Sequence, residues 1–346
     1  MLPLAQIVHG LGGEVAGSDR SRDQGRSSDK FGWLERNGFA LYPQDGRGVA
    51  SADQIVVASA AVEDTVAEIV KARELGCRRM SRADLNAALF NAAETGVAVA
   101  GTSGKSTVTA MLGWILHAIG REPTIMNGAV MKNFISPDNP FASAHVGSSA
   151  LYVSEVDESD GSIALYKPAV GILLNVSLDH KSMEELRQLF GDFLRQSIAT
   201  AVNADDPEAF ALADAATGRV VFGIEATSAD IGVVADSITF AATSIAATVV
   251  DRRDGSHYPL ALAMPGRHNL SNALAAIAGA SAAGVPVTDA VRCLASFTGL
   301  ARRFDIIGTT RTGISVIDDF GHNPEKCAAT LRTLRQQRGR IIAFFQ

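Results

Sequence analysis

Cysteine is scarce in this 346-residue chain, with only Cys77, Cys293 and Cys327. An odd number of widely separated cysteines supports neither a disulfide framework nor a cysteine-based metal site, and points to a reducing compartment, the cytoplasm. Long apolar runs are missing too. None approaches the roughly 20 residues that a helix needs to span a bilayer, so no membrane span is expected. Met1 to Gly13 carries no basic segment followed by a cleavage site, which argues against a secretory signal. Positive charge is nowhere concentrated: Lys and Arg number 31 against 37 Asp and Glu, a net charge of −6, so a nucleic-acid partner is not expected. What is present is core-forming material. The chain is 47% hydrophobic and 20% charged, ordinary for a globular protein, and long enough for two or three domains.

The densest information lies in Val97-Ala-Val-Ala-Gly101-Thr102-Ser103-Gly104-Lys105-Ser106-Thr107. An apolar, β-branched run enters a glycine-rich turn, and a helical pattern follows through Met111, Leu112, Ile115 and Leu116. Strand, loop and helix N-terminus in this order cradle phosphates with backbone N–H groups and the positive end of the helix dipole. Lys105 can reach β- and γ-phosphates, and the hydroxyl of Ser106 or Thr107 can ligate Mg²⁺. The longer P-loop pattern has glycine where this chain has Val99, so the motif is the shorter G-T-x-G-K-[ST] form. The competing reading is a glycine-rich turn with an incidental lysine. A lysine on such a loop is expected to contribute little to packing.

Around this motif the chain reads as α/β in three units. Residues 1–95 alternate helix and strand signals: a helix through Leu4, Ile7, Val8 and Leu11, a short strand at 14–19, a buried strand at Gln54–Ala58, and helices at Val62–Leu75 and Asp84–Asn91. Residues 96–300 predict strands at Val97–Ala100, Ala150–Glu155, Val170–Asn175 and Ala199–Asn203. Helices are predicted at Lys105–Ile119, Met183–Gln196 and His268–Ala283. An antiparallel insert is expected between Gly218 and Met264, turning at Asp254-Gly255. From 301 a third unit shows a strand at Ile314–Ile317, a helix at Pro324–Gln337 and a strand at Arg340–Phe345. A leading helix with no strand before it, and a third unit too small for its own core, suggest that the natural protein extends beyond both ends.

Other polar clusters sit where strands end, the position at which α/β sheets bind ligands. Glu155, Asp157, Glu158 and Asp160 follow one strand; Glu155, nearest its end, is the best Mg²⁺ ligand, against the alternative of a solvated acidic loop. Asp179-His180 ends another, and a neutral His180 could serve a second metal, against a structural histidine. Asn269 and Asn272, one turn apart, could face an adenine edge or cap their helix. Arg302 and Arg303 stand at the junction of the second and third units, where arginines can clamp a phosphate on closure or simply face solvent. Asp318, Asp319 and His322-Asn323-Pro324 follow the next strand, with the proline opening a helix.

Together these stretches resemble the Mur ligase family, the ATP-dependent amide-forming enzymes of peptidoglycan synthesis. Gly101–Thr107 is similar to its phosphate loop, Ser154–Asp160 and Asn175–His180 to its two metal-side motifs, and Gly266–Asn272 to its adenine-side motif. Arg302–Asp305 and Asp318–Pro324 resemble the start of its third domain. Order and spacing agree across almost the whole chain. Val15–Asp19, Glu155–Asp160, Gly266–Asn269 and Arg302–Asp305 resemble most the branch that acts on UDP-N-acetylmuramate. That branch usually has His at the positions of Ser103 and Asn323.

The resemblance implies a Rossmann-like UDP-sugar domain (1–95), a central P-loop ATPase domain with a parallel sheet and a small antiparallel β insert (96–300), and the start of a Rossmann-like amino-acid or peptide domain (301–346). It implies ligation of an amino acid, L-alanine, to UDP-N-acetylmuramate through an acyl phosphate, with ATP and Mg²⁺. Lys105 would neutralise the γ-phosphate. Ser106 or Thr107 and Glu155 would hold one Mg²⁺, and His180 the second. Asn269 and Asn272 would bind adenine, and Arg303 and Asp319 would complete the site on closure. The alternatives are a muropeptide-recycling ligase that attaches a tripeptide to the same sugar nucleotide, a folate-polyglutamate-type ligase and a non-catalytic nucleotide-binding paralogue.

Overall fold

The structure, a computed structural model, describes residues 1–59, 61–178, 181–213, 218–321, 324–335 and 339–345. Its centre is an 11-stranded sheet. Thr95–Ala100 lies in the middle, flanked in parallel by Leu151–Glu155 on one side and Val170–Leu173 on the other. Beyond these run Thr124–Met126 on the first side, then Ala199–Asn203 and Arg219–Phe222 on the second, all parallel.

Burial on both faces explains why these strands read as unbroken apolar runs. Side chains still alternate between faces, and each face has its own core. Val97, Val99, Val153 and Ile172 join one cluster with helices Lys105–Ala118, Arg267–Ala282 and Val287–Leu294. Ala98, Ala100, Tyr152 and Leu173 join the other, under helix Met183–Gln196. That helix begins with a capping box between Ser182 and Glu185 and buries Leu186, Phe190, Phe193 and Leu194. The alanine-rich helix Arg267–Ala282 comes so close to the sheet that a side chain at Gly279 would meet Ile172.

The expected antiparallel insert is present, as hairpin Ile245–Asp251 with Ser256–Leu262. It is not a separate sheet. Ile231–Val233 pairs with both Arg219–Phe222 and Ile245–Asp251, so the hairpin extends the central sheet.

Before Thr95 there are two separate parallel pairs, Ala16–Ser18 with Ala40–Tyr42 and Ile55–Ala58 with Arg78–Ser81. The strand expected to be buried at 54–58 is half-exposed instead, with Ile55 51% accessible, because its one partner leaves an edge open. Helix Ala67–Leu75 starts later than its pattern suggested. Helix Arg82–Ala92, with a Ser81–Asp84 capping box, sends Phe90 into the core of the central sheet, against Gly96.

After Leu300 the chain forms hairpin Asp305–Thr309 with Ser315–Asp318, then helix Pro324–Arg335. The strand expected at Arg340–Phe345 does not form. No described strand lies beside it, and Phe344 and Phe345 are 95% and 74% exposed. A strand without a neighbour has no ladder for its backbone N–H and C=O groups.

Candidate functional site

The phosphate-loop motif occupies the carboxyl end of the central strand and opens helix Lys105–Ala118. Gly101 (φ +135°) and Gly104 (φ +91°) carry backbone angles that a side chain would strain. The loop is also walled in: a side chain at Gly101 would meet Leu174 and the Asn175 backbone, and one at Gly104 would meet the Asn272 carboxamide.

Asn175 pins the loop. Its Oδ1 accepts from the Ser103 N–H at 2.8 Å and the Thr102 hydroxyl at 2.8 Å, while its Nδ2 donates to the Ser103 carbonyl at 3.0 Å. Ser177 shares the Thr102 hydroxyl at 2.8 Å. This bracing between neighbouring strand ends is a role that the sequence reading did not give to Asn175.

Beyond the loop, the Ser106 hydroxyl donates to Glu155 Oε2 at 2.7 Å. Glu155 Oε1 lies over Gly128, where an added Cβ would stand only 2.2 Å away. Asn127, fully buried, donates to the Ser106 carbonyl at 2.9 Å and so holds the start of the helix beside that glycine. Burial pushes the Glu155 carboxyl above its usual range; the Ser106 hydroxyl, Lys105 and Arg303 oppose this. At Asp157 burial also acts upward, but hydrogen bonds from Ser159 and the charge of Lys105 outweigh it and hold that carboxyl low.

Lys105 is no free surface lysine. Its Nζ meets Glu158 Oε2 at 2.7 Å, and Glu158 is only 4% exposed. Glu158 was visible in the sequence only as one of four acids. Its role depends on a contact 53 residues away.

Lys105, Ser106, Glu155 and Asp157 line a cavity of about 250 Å³, joined by Arg82 and Arg303 from either side of the central unit. Arg82 is positioned by its own helix. One turn later, Asn86 is 5% exposed; it donates to Ser154 Oγ at 3.0 Å and Tyr166 Oη at 2.8 Å, and accepts from the Tyr152 hydroxyl at 2.9 Å. Tyr166, pushed up to about 12 by burial, stays neutral and also lines the cavity. Arg82 and Asn86 went unnoticed in the sequence, because nothing local marks a helix that docks on a distant strand end.

Arg303 arrives on a strained turn. Arg302 (φ +60°) and Phe304 (φ +46°) both hold left-handed angles, uncommon for these residues. Asp305 accepts from the Arg302 N–H at 3.2 Å, Asp319 from the Phe304 N–H at 3.0 Å, and Lys132 ties Asp305 to the central unit at 2.8 Å. The guanidinium of Arg303 rests on the Phe320 ring, 5.2 Å from its centroid.

The remaining expected site residues fall in several places. Thr107 is buried and does not line the cavity. Asn272 stands against the phosphate loop, whereas Asn269, 2% exposed, donates back to the Pro265 carbonyl at 2.7 Å and secures its helix start. Asp319 spends both oxygens inside the third unit, the second accepting from the Thr330 hydroxyl at 2.6 Å. Asp179, His180, His322 and Asn323 lie outside the described residues.

A mostly parallel α/β sheet with a pinned glycine loop at a helix N-terminus, a hydroxyl–carboxylate pair beside it and converging cations is an arrangement suited to an anionic ligand at the carboxyl ends of the strands. The chain belongs to the Mur ligase family: it matches the Mur ligase middle domain over residues 99–280 and the Mur ligase, glutamate ligase domain over 302–346. This is a family of ligases, in general dependent on ATP and Mg²⁺. A UDP-N-acetylmuramate–L-alanine ligase of Nitratidesulfovibrio vulgaris is 34% identical over 100% of this chain and 74% of its own length. The protein of that name from Clavibacter sepedonicus is 36% identical, covering 100% and 70%. Among solved structures, UDP-N-acetylmuramate-alanine ligase MurC from Thermotoga maritima superposes with a TM-score of 0.81 at 25% identity, over 97% of this chain and 75% of that one. A murein peptide ligase from Psychrobacter arcticus gives 0.77 at 25%, over 97% and 74%. No described helix is long and apolar enough to cross a membrane.

Proposed function

We propose that this chain joins L-alanine to the carboxylate of UDP-N-acetylmuramate using ATP, through an acyl phosphate, in cytoplasmic peptidoglycan synthesis. The observation that carries this is the meeting of Lys105, the Ser106–Glu155 pair, Arg82 and Arg303 in one cavity, in a chain 34–36% identical to relatives named for that reaction. In this reading residues 1–95 bind the UDP-sugar, 96–300 bind ATP, and 301–346 begin the amine-binding unit.

The residues present fit Mg-ATP. Gly101 and Gly104 supply the positive-φ turns that lead into helix Lys105–Ala118, and the hydroxyl of Ser106 and the carboxylate of Glu155 form a hard oxygen pair 2.7 Å apart. Held by Ser106 and Glu155, Mg²⁺ would neutralise charge on the transferred phosphoryl group. By the family resemblance, His180 serves a second ion, Asn269 and Asn272 the adenine side, and Asp319 acts with Arg303 in completing the nucleotide site. Asp319 does so by fixing the turn that presents Arg303.

The reaction runs in two displacements. A carboxylate oxygen of the sugar nucleotide attacks the γ-phosphorus, and the bond to ADP breaks. The neutral amine nitrogen then attacks the acyl carbon, the acyl C–O bond breaks, and the proton lost from nitrogen leaves with inorganic phosphate. Lys105 neutralises the γ-phosphate, while Arg82 and Arg303 hold two anions together that would otherwise repel. The test is phosphate release with ATP, UDP-N-acetylmuramate and a panel of amines. We expect release that needs both nucleotides and is fastest with L-alanine. A strict preference for a tripeptide would reassign the protein to recycling, and release independent of any amine would overturn ligation.

A further inference from the structure

The far end of the phosphate-loop helix carries a cluster that the reaction does not use. His117 is in the last turn of helix Lys105–Ala118, Glu122 in the loop that follows, and His145 on the edge strand Ala144–His145, paired opposite Ile125. One ligand-capable atom from each lies within 4.8 Å of the others. We propose that His117, Glu122 and His145 bind a divalent transition-metal ion of the zinc type, which clips this helix to the edge of the central sheet.

Three independent features point the same way. First, His117 Nδ1 and His145 Nε2 are both buried with no hydrogen-bond partner, although buried polar atoms are normally satisfied. Second, the spacing is close to what a metal imposes. His117 Nδ1 and Glu122 Oε1 stand 3.4 Å apart, and two ligands at ~2.0–2.1 Å on a tetrahedral zinc are separated by about 3.3 Å. The ligand atom of His145, within 4.8 Å of the others, has to move inward by about 1.5 Å at most to reach that separation. Third, Glu122 is held in a left-handed conformation, φ +40°, rare for this residue. That strain is fixed from outside. The Glu122 carbonyl accepts from the Ser149 hydroxyl at 2.8 Å and N–H at 3.2 Å, and it packs so closely on Gly147 that a Cβ there would stand 1.9 Å away. Backbone strain that is over-determined in this way marks sites whose side chain must be presented.

The surroundings suit a metal-bound imidazole pair. Phe134 packs against both rings, with centroids 5.2 and 4.6 Å away, and Trp114 against His117 at 5.8 Å. These walls fix the ring orientations and lower the local dielectric. Two imidazoles and one carboxylate select Zn²⁺, Co²⁺, Ni²⁺ or Cu²⁺, whereas Mg²⁺ prefers oxygen alone. All three residues are partly exposed at the surface, and zinc sites with three protein ligands take water as the fourth.

At 1.5 Å per residue, His117 lies about 18 Å along the helix from Lys105. The ion therefore acts on the scaffold and not on the reacting atoms. The edge strand it would secure is packed against the first unit: Val146 touches Gly10, and helix Leu2–Gly10 lies alongside. Metal binding would stabilise that junction.

The test is calorimetric titration of the chelator-treated protein with ZnCl₂ in excess MgCl₂, which keeps zinc from the oxygen ligands of the phosphate loop. We expect one zinc per chain and a rise in melting temperature. We also expect affinity at least about tenfold weaker in Glu122→Gln, since even outer-shell changes cost 10–100-fold, and binding abolished in His145→Gln. Co²⁺ should give the intense visible absorption of a tetrahedral N/O site in the wild type and lose it in both variants. Glu122 is partly exposed, so its variant decides the matter even if His145→Gln fails to fold. The absence of a saturable site, or a site of unchanged affinity in Glu122→Gln, would overturn the proposal.

Discussion

Replacing Lys105 by methionine should damage this protein twice, and the two effects can be separated. Methionine keeps most of the apolar stem but not the charge, so it leaves Glu158, 4% exposed, without the ammonium 2.7 Å away. Hydrogen bonds to charged groups contribute about 1.5–3 kcal/mol net, and an orphaned buried acceptor costs a similar amount. Lys105 itself is 19% exposed at its side chain, so solvent screens part of the Coulomb attraction. We therefore expect about 2 kcal/mol of destabilisation. At roughly 2–4 °C per kcal/mol for a protein of a few hundred residues, that is a fall in Tm of about 4–8 °C.

Adding Glu158→Gln removes the stranded charge. The double variant should recover about half or more of the lost stability, a coupling of ~1 kcal/mol or greater, as contacting residues show. It should recover no activity. Loss of one preorganised charge partner of a transition state costs about 10²–10³ in kcat, and a glutamine at position 158 cannot replace it. The assay is differential scanning calorimetry of the four proteins of the cycle beside ATP-dependent phosphate release. Strictly additive stabilities would refute the Lys105–Glu158 pair. Near-normal phosphate release by a folded Lys105→Met protein would refute the phosphate-loop assignment.

Two further outcomes follow from single residues. Gly128→Ala places a methyl where Glu155 Oε1 stands; because a carboxylate tip can swing aside, the fold should survive, while phosphate release falls at least about tenfold as Glu155 leaves Ser106, and wild-type activity in this variant would show that the Ser106–Glu155 geometry is unimportant. At the hairpin turn, Arg253 hydrogen-bonds Asp251 at 2.8 and 2.7 Å and holds its carboxyl below the usual range; this stability is present above the ordinary carboxylate pKa of about 4 and is lost as pH falls through the lowered value, so Asp251→Asn should flatten the acid limb of a urea-unfolding series by up to ~1.4 kcal/mol per pH unit, one proton's worth, and an unchanged slope would refute the pairing.

Much of this protein was legible in local pattern. The apolar run at 97–100, the glycines at 101 and 104 and the periodicity after Lys105 are signals within a dozen residues, and the strand, loop and helix formed where expected. Met183–Gln196 matched its pattern at both ends because its capping box and its buried stripe lie within its own sequence. The hairpin turn at Asp254-Gly255 was equally local.

Tertiary structure alone decided the rest. Which strand neighbours which is set by packing across the sheet, so the hairpin's attachment to Ile231–Val233, and the lack of a neighbouring strand for 340–345 among the described residues, could not be read from either segment. The cavity is the sharpest case. Lys105 finds Glu158 across 53 residues, Asn86 finds Tyr166 across 80, and Lys132 finds Asp305 across 173. The chemical identity of a side chain is written in sequence, and backbone periodicity decides the face on which it lies. The partner it meets depends on chain segments brought together by burying apolar surface, a non-directional force that leaves no local mark for the polar contacts it creates.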